Sequence, residues 1–378
     1  MSKSFISFVC ILCTLMTYAQ KQSDRSYHLL IGTYTNGKSE GIYVYAFDSQ
    51  TGEAKHEFTY KGISNPSYLA ISSNKKYVYS VTEASDKKGL VSAFAIDPVS
   101  GSLQFLNSES SGSEGPCYVS VDKTGQFVFV GNYSGGSLAA LSVQPNGSLT
   151  PRQHIVHQGA SVNKQRQDRP HVHAVVVSPD NNYVVVPDLG TDRLVIYDFK
   201  PVKTGEPLSP ANPAFTPVDP GSGPRHFTFH PNGRYAYVIQ ELSGTITAFN
   251  YSKGRLAKIQ SITMLEPDFK GKIGAADIHV SPDGKFLYGS NRGDANDIVI
   301  YAINPGSGQL TFAGRQSTLG KGPRNFMIDP TGQFLLVANQ NSDNIFIFKR
   351  DSKTGLLTDT GKSIEVGAPV CLKMVPAK

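Results

Sequence analysis

The sequence predicts an all-β protein: a single seven-bladed β-propeller whose blades are four-stranded antiparallel sheets. Three observations carry that prediction. One phrase recurs with a period of about 50 residues, in the range of propeller blades. Within each copy, apolar residues alternate over short runs bounded by Gly, Asp, Asn and Pro turns, with no helical stripe of comparable length. The two ends of the chain carry complementary fragments of one copy.

The phrase is Gly-Pro, a short apolar run, a turn such as PDG, PNG or PTG, then a strand rich in Tyr, Phe and Val. Clear copies are GPCYVSVDKTGQFVFVGN from Gly115, GPRHFTFHPNGRYAYVIQ from Gly223 and GPRNFMIDPTGQFLLVAN from Gly322. Weaker copies begin at Asn65-Pro66, Arg169-Pro170 and Gly274-Ala275. Each leads into a further strand, as in GTITAFN (Gly244 to Asn250) or DNIFIFK (Asp343 to Lys349), and then a short one near SGSLQFL, KGRLAKI or TGLLTDT. Four such strands form a sheet that cannot bury both faces alone, and radial stacking hides those faces while leaving only short edges.

The chain ends settle the count. The N-terminal region enters at the second strand of the pattern (Leu29 to Tyr34), then gives GIYVYAFD and a strand near Glu57. At the far end GAPVCLKM (Gly367 to Met374) matches the opening strand. Six whole repeats and these two fragments predict seven blades, with the ring closed by three N-terminal strands and one C-terminal strand, since either fragment alone exposes a sheet edge. Two segments break the period: the polar stretch 151–170, with His154, His157, Arg166 and Arg169, and the Pro- and Ser-rich stretch 200–222. Both read as surface loops on a rigid scaffold.

Ahead of the propeller, Lys3 supplies a positive start, Phe5 to Met16 is apolar, and Thr17-Tyr18-Ala19 ends in a small residue before a polar run. That anatomy predicts a signal peptide over 1–19, cleaved near Ala19, followed by one propeller domain over 27–378. The apolar run is too short for a stable membrane span, and neither Cys10 nor Cys13 sits in a lipoprotein pattern. The expectation is an exported protein, periplasmic or secreted, monomeric and free of the membrane after cleavage. Cys117 and Cys371 fall on non-neighbouring blades, so no disulfide is expected. No CxxC, HExxH or EF-hand spacing occurs, so neither a metal nor another cofactor is expected. The formal net charge of +6 comes from singly scattered Lys and Arg, which argues against nucleic acid and suits a small anionic ligand.

Superposing the repeats aligns equivalent positions around the central channel. The column after the Gly-Pro, at the entry of the innermost strand, reads Ser67, Cys117, His173, Arg225, Ala276, Arg324 and Val370. The column closing the next strand reads Tyr34, Glu83, Tyr133, Leu189, Glu241, Arg292 and Gln340. Entry and exit of an antiparallel pair lie at the same end. His173, Arg225, Glu241 and Arg292 are therefore expected on one rim, from three consecutive blades. The column one residue earlier (Thr33, Thr82, Asn132, Asp188, Gln240, Asn291 and Asn339) is polar throughout and reads as turn-closing structure. Guanidiniums bind carboxylate or phosphate in bidentate fashion and stabilise a developing oxyanion. A carboxylate or imidazole beside them can move a proton. In the HVH run, His171 and His173 alternate, so one of them faces the site; the column favours His173, and a one-residue slip substitutes His171.

DRPHVH (Asp168 to His173), GPRHF (Gly223 to Phe227), YVIQEL (Tyr237 to Leu242), SNRG (Ser290 to Gly293) and GPRNFMIDPTGQFLLVANQNSDNIFIF together resemble the seven-bladed lactonase family. That family includes propeller-type 6-phosphogluconolactonases and carboxymuconate-lactonizing enzymes, and the resemblance runs over nearly the whole mature chain. It implies catalytic roles for His173 (or His171), Arg225, Glu241 and Arg292. Arg324, Glu83 and Gln340, with His171, are the expected substrate contacts. The expected activity is metal-independent hydrolysis of a sugar-acid lactone, phosphorylated or not, with Glu241 activating water. Two alternatives stay open at this point: a lactonizing cycloisomerase acting on a dicarboxylate, and a non-catalytic exported propeller that binds a glycan or a protein.

Overall fold

The computed structural model describes residues 26–83 and 89–378, and the expected signal peptide lies outside them. The described residues form seven four-stranded antiparallel sheets. Six are built from consecutive strands, from Leu69–Ile71 through Leu103–Ser110 in blade 2 to Pro323–Ile328 through Leu357–Glu365 in blade 7. Blade 1 joins the C-terminal strand Pro369–Pro376 to Ser26–Thr33, Gly41–Asp48 and Ala54–Lys61. The pairing is in register from Tyr27 opposite Pro376 to Gly32 opposite Cys371, so the ring closes as expected.

Local backbone chemistry explains why the phrase repeats. The turn between the first two strands of a blade needs a residue with positive φ, and glycine supplies it without steric cost at Gly125, Gly233, Gly284 and Gly332. Lys75 and Asn181 take the same conformation in the two blades that lack the glycine, with φ of 62° and 61°. Each of the six turns closes with a bond back to the residue three earlier, as in Gly284 N–H to Ser281 O at 2.8 Å.

Apolar side chains fill the spaces between neighbouring sheets rather than one central core. Phe47 of blade 1 meets Phe334 of blade 7 edge-on, with ring centroids 6.0 Å apart, and Phe129 of blade 3 meets Phe199 of blade 4 at 5.1 Å. Such pairs contribute about 0.5–1.5 kcal/mol each beyond their burial. A tyrosine on the second strand also hooks the next blade in three places: Tyr79 to Gly147 O, Tyr237 to Gly308 O and Tyr288 to Gly355 O, at 2.8–3.2 Å. The ring is thus bound blade to blade by repeated polar clasps as well as by packing.

The two period-breaking segments are less loop-like than their composition suggests. Leu149–Val156 and Leu208–Pro217 are the outer strands of blades 3 and 4, polar because most of their residues remain exposed or half-exposed at the rim. Only 157–170 of the first segment is a loop. Cys117 and Cys371 are buried free thiols on blades 3 and 1.

Candidate active site

The backbone brings the two expected columns together in all seven blades. At the strand exit each residue donates its N–H to the carbonyl two residues before the strand-entry position. Glu241 N bonds Gly223 O at 2.7 Å, Arg292 N bonds Gly274 O at 2.8 Å, and Glu83 N bonds Asn65 O at 3.0 Å. Tyr34, Tyr133, Leu189 and Gln340 make the equivalent bond to Ala368, Gly115, His171 and Gly322. One mouth of the channel therefore presents one ring of side chains.

That mouth holds a cavity of about 260 Å³ lined by Tyr34, Glu83, Cys117, Tyr133, Arg166, His173, Glu241, Arg292 and Arg324. At its centre of charge, three guanidiniums grip one carboxylate. Arg166 Nη2 donates to Glu241 Oε1 at 2.6 Å, Arg225 Nε to Oε2 at 3.0 Å, and Arg292 Nη2 lies 3.0 Å from Oε2. The three differ in depth, with side-chain exposures of 43%, 1% and 20% respectively. Burial pushes the Glu241 carboxyl up, but Arg292, Arg225 and Arg166 outweigh it and hold the group at about 2. Arg292 is lowered to about 10 by burial, with repulsion from Arg225 and Arg324 partly offset by Glu241.

His173 stands beside this cluster, its Nε2 3.9 Å from Glu241 Oε2 and its Nδ1 3.6 Å from Cys117 Sγ. Burial, then the charge of Arg225, drives its pKa well below the usual imidazole range, so the ring is neutral at pH 7. Burial pushes the Cys117 thiol up to about 12, which leaves it protonated. On the opposite wall Glu83 Oε2 accepts from Tyr34 Oη at 2.8 Å and from Ser67 Oγ at 2.5 Å. Arg324 lies over the Tyr34 ring, 5.4 Å from its centroid, and makes no hydrogen bond or ion pair among the described residues.

A family model described as a seven-bladed β-propeller lactonase matches residues 28–374. The chain belongs to that family. It is 39% identical to a Bacillus subtilis 6-phosphogluconolactonase, over 91% of this chain and 97% of that one. It is 40% identical to a Formosa agariphila 6-phosphogluconolactonase, over 92% and 99% of the two chains. The solved structure of a Pseudomonas aeruginosa periplasmic gluconolactonase superposes with a TM-score of 0.90 at 42% identity, covering 93% of this chain and all of that one.

Of the residues expected from sequence, this lactonase gathers His173, Glu241, Arg292, Arg324 and Glu83 on the cavity wall. Arg225 departs from expectation. It lies beneath the cavity, fully buried, because its guanidinium turns inward to the Ala276 carbonyl (2.6 Å) as well as to Glu241. His171 does not line the cavity. Its ring stacks on the Tyr133 ring at 4.5 Å and its Nδ1 bonds the Tyr133 carbonyl, while its N–H is taken by the Asp188 carboxylate at 2.8 Å. The regular inner strand of blade 4 is only Val176–Val177, preceded by an isolated bridge between Val172 and Asp188. Gln340 is also absent from the wall; Arg324, from the adjacent strand of the same blade, lines that sector.

Sequence reasoning missed Arg166 as a site residue. It comes from the loop that follows the outer strand of blade 3, reaches the Tyr133 hydroxyl at 3.3 Å and completes the grip on Glu241. The available signal was a charged insertion just ahead of DRPHVH. In the polar column one residue before the strand exit, Asn132 Nδ2 bonds Ser111 O, Asn339 Nδ2 bonds Thr318 O and Thr33 Oγ1 bonds Gly41 O, the structural bonds expected of it, whereas the buried Asn291 amide makes none among the described residues.

Proposed function

We propose that this lactonase-family chain hydrolyses a sugar-acid lactone to the free aldonic acid, with Glu241 and its three guanidiniums as the reacting centre. Water adds to the lactone carbonyl, the ring C–O bond breaks, and the departing alkoxide takes up a proton. Arg292 and Arg166, the two partly exposed arginines, receive the carbonyl oxygen and stabilise the oxyanion of the tetrahedral intermediate. Glu241 accepts the proton of the attacking water and returns it to the ring oxygen, aided by the neighbouring His173 N–H.

A carboxylate held at about 2 is a weak base in the free enzyme. The charge that weakens it is the charge a forming oxyanion recruits. As Arg292 and Arg166 turn to the oxyanion, Glu241 loses their hydrogen bonds and its basicity rises along the reaction coordinate. Aldonolactones also open spontaneously in water, so this modest apparatus suffices. The observation that carries the reading is the triple guanidinium grip on one nearly buried carboxylate at a cavity mouth.

The apolar segment Phe5–Met16 and the periplasmic gluconolactonase among the structural neighbours support placement outside the cytoplasm. There an unphosphorylated aldonolactone becomes the accessible substrate, met by a monomer that needs no cofactor. The test is hydrolysis of glucono-δ-lactone and of its 6-phosphate by the purified mature chain. Rates above buffer on at least one are expected, and rates equal to buffer on both overturn the assignment.

A further inference from the structure

One residue beyond each strand-entry position lies a second ring: Tyr68, Tyr118, Ala174, His226, Asp277, Asn325 and Cys371. It plugs the channel under the cavity. Tyr68 and Tyr118, from blades 2 and 3, stack at 4.3 Å, and both meet the edge of the His226 ring of blade 5 at 5.8 and 5.4 Å. Contacts between blades 2 and 5 cross the propeller axis. None of these residues lines the cavity.

We propose that Asp277 and His226 are positioning residues for the lactonase reaction: a cross-blade relay that fixes Arg225 and, through it, the Glu241 carboxylate. Arg225 Nη1 lies 3.1 Å from His226 Nε2. A guanidinium has donors only, so Nε2 must accept. The ring proton then sits on Nδ1, which donates to Asp277 Oδ1 at 2.7 Å. Burial and the Arg225 charge bring the His226 pKa down to about 3, so one neutral tautomer is held. The chain Asp277–His226–Arg225–Glu241 thus runs from the plug to the reacting centre through three hydrogen bonds of fixed polarity.

Asp277 is suited to anchor it. It is 1% exposed, yet its two oxygens accept from groups on three blades. Oδ1 takes His226 Nδ1 and the Ile278 N–H at 3.0 Å; Oδ2 takes His279 Nε2 at 2.9 Å, the Asn325 amide and the Phe326 N–H at 3.2 Å. Asn325 in turn accepts the Leu372 N–H of blade 1 at 2.7 Å, which fixes its own amide orientation. Blades 5, 6, 7 and 1 therefore agree on the position of one carboxylate. Arg225 inherits that position, because among the described residues only the imidazole and the Ala276 carbonyl hold its Nη1.

The sharpest perturbation is Asp277→Asn, which keeps shape and reverses one donor. His279 Nε2, the Asn325 amide and the Phe326 N–H outnumber the two partners on the Oδ1 side and hold the oxygen on theirs, so the new NH₂ faces His226 and gives up the bond from the Ile278 N–H. His226 must then accept at Nδ1 and carry its proton on Nε2, pointing it at a guanidinium that also donates. A reversed tautomer of this kind disables an otherwise intact constellation.

The experiment has a kinetic arm, which rests on the lactonase reading, and a spectroscopic arm, which does not. In ¹⁵N-histidine-labelled full chain, long-range ¹H–¹⁵N correlations should show His226 protonated on Nδ1 at pH 7. The signal is assigned by its loss in His226→Gln, and Asp277→Asn should move the proton to Nε2. With glucono-δ-lactone, Asp277→Asn and His226→Phe should lose about 10- to 100-fold in kcat with KM nearly unchanged, the usual scale for supporting contacts. His226→Gln, whose amide keeps one acceptor and one donor, should recover most of that loss. A Nε2–H tautomer in the unsubstituted protein overturns the relay whatever the activity. So does unaltered kcat in the folded Asp277→Asn chain, or equal kcat losses in His226→Gln and His226→Phe at equal Tm. If Asp277→Asn does not fold, the His226 pair decides. Absence of lactone hydrolysis alongside the Nδ1–H tautomer overturns the substrate reading instead.

Discussion

Removing the Arg166 guanidinium should move the acid limb of catalysis toward neutral pH. Arg166 contributes one short bond, 2.6 Å to Glu241 Oε1, from a side chain that is nearly half exposed. A charge-assisted hydrogen bond is worth about 1.5–3 kcal/mol. Solvent screening at this exposure takes the contribution to the low end, about 1–1.5 kcal/mol. At roughly 1.4 kcal/mol per pKa unit, Arg166→Ala raises the Glu241 pKa by about one unit. The sign follows from the charge state. Glu241 acts as the carboxylate, its pKa lies near 2, and losing a neighbouring cation makes protonation easier. The assay is kcat/KM against pH with an aldonolactone, since that ratio reports groups of the free enzyme. The acid limb of Arg166→Ala should lie about one unit above that of the unsubstituted chain. A limb that stays in place or moves lower refutes the coupling of this loop arginine to the reacting carboxylate.

Three further outcomes follow from the same cluster. Glu241→Gln should lose about 3 kcal/mol of stability to urea at pH 7, the scale of a depression from 4.5 to about 2, because it strands buried Arg225. That stabilisation is present above about pH 4.5 and fades as pH falls toward 2, so the Gln variant should show a shallower acid slope; equal slopes contradict this. Arg324, which has no ion pair among the described residues, should favour anionic over neutral lactones. Arg324→Gln should therefore raise KM for glucono-lactone 6-phosphate about tenfold more than for the neutral lactone, and equal changes rule this out. Cys117, with its thiol pushed up to about 12, should resist iodoacetamide at pH 7.5, and Cys117→Ala should keep activity within about threefold; rapid inactivation by the reagent would point to a nucleophile.

The propeller and much of its mouth were legible because each blade repeats one backbone solution. A turn residue with positive φ at 125, 233, 284 or 332 and a bond such as Glu241 N to Gly223 O recur at fixed offsets, so a column in sequence becomes a ring in space. That logic placed Glu241, Arg292, Glu83 and Arg324 at one mouth. It could not see depth. Arg225 and Arg324 share a column, yet one turns under the cavity to meet Ala276 O and the other lies over Tyr34. It also failed where the repeat fails. Arg166 belongs to a loop whose sequence lies outside the repeated phrase, and the His171 ring stacks on Tyr133 instead of facing the cavity. The ring containing His226 and Asp277 was present in the same alignment, but its mixed chemistry becomes a relay only once the contacts across the axis are known.

The most direct measurement is the rate of aldonolactone hydrolysis by Glu241→Gln beside the unsubstituted chain, with near-UV circular dichroism showing the same fold in both. Loss of the proton acceptor should lower kcat/KM by about 100-fold or more while the cavity persists. A folded Gln variant that hydrolyses the lactone within about threefold of the unsubstituted rate would place the chemistry elsewhere than on this carboxylate.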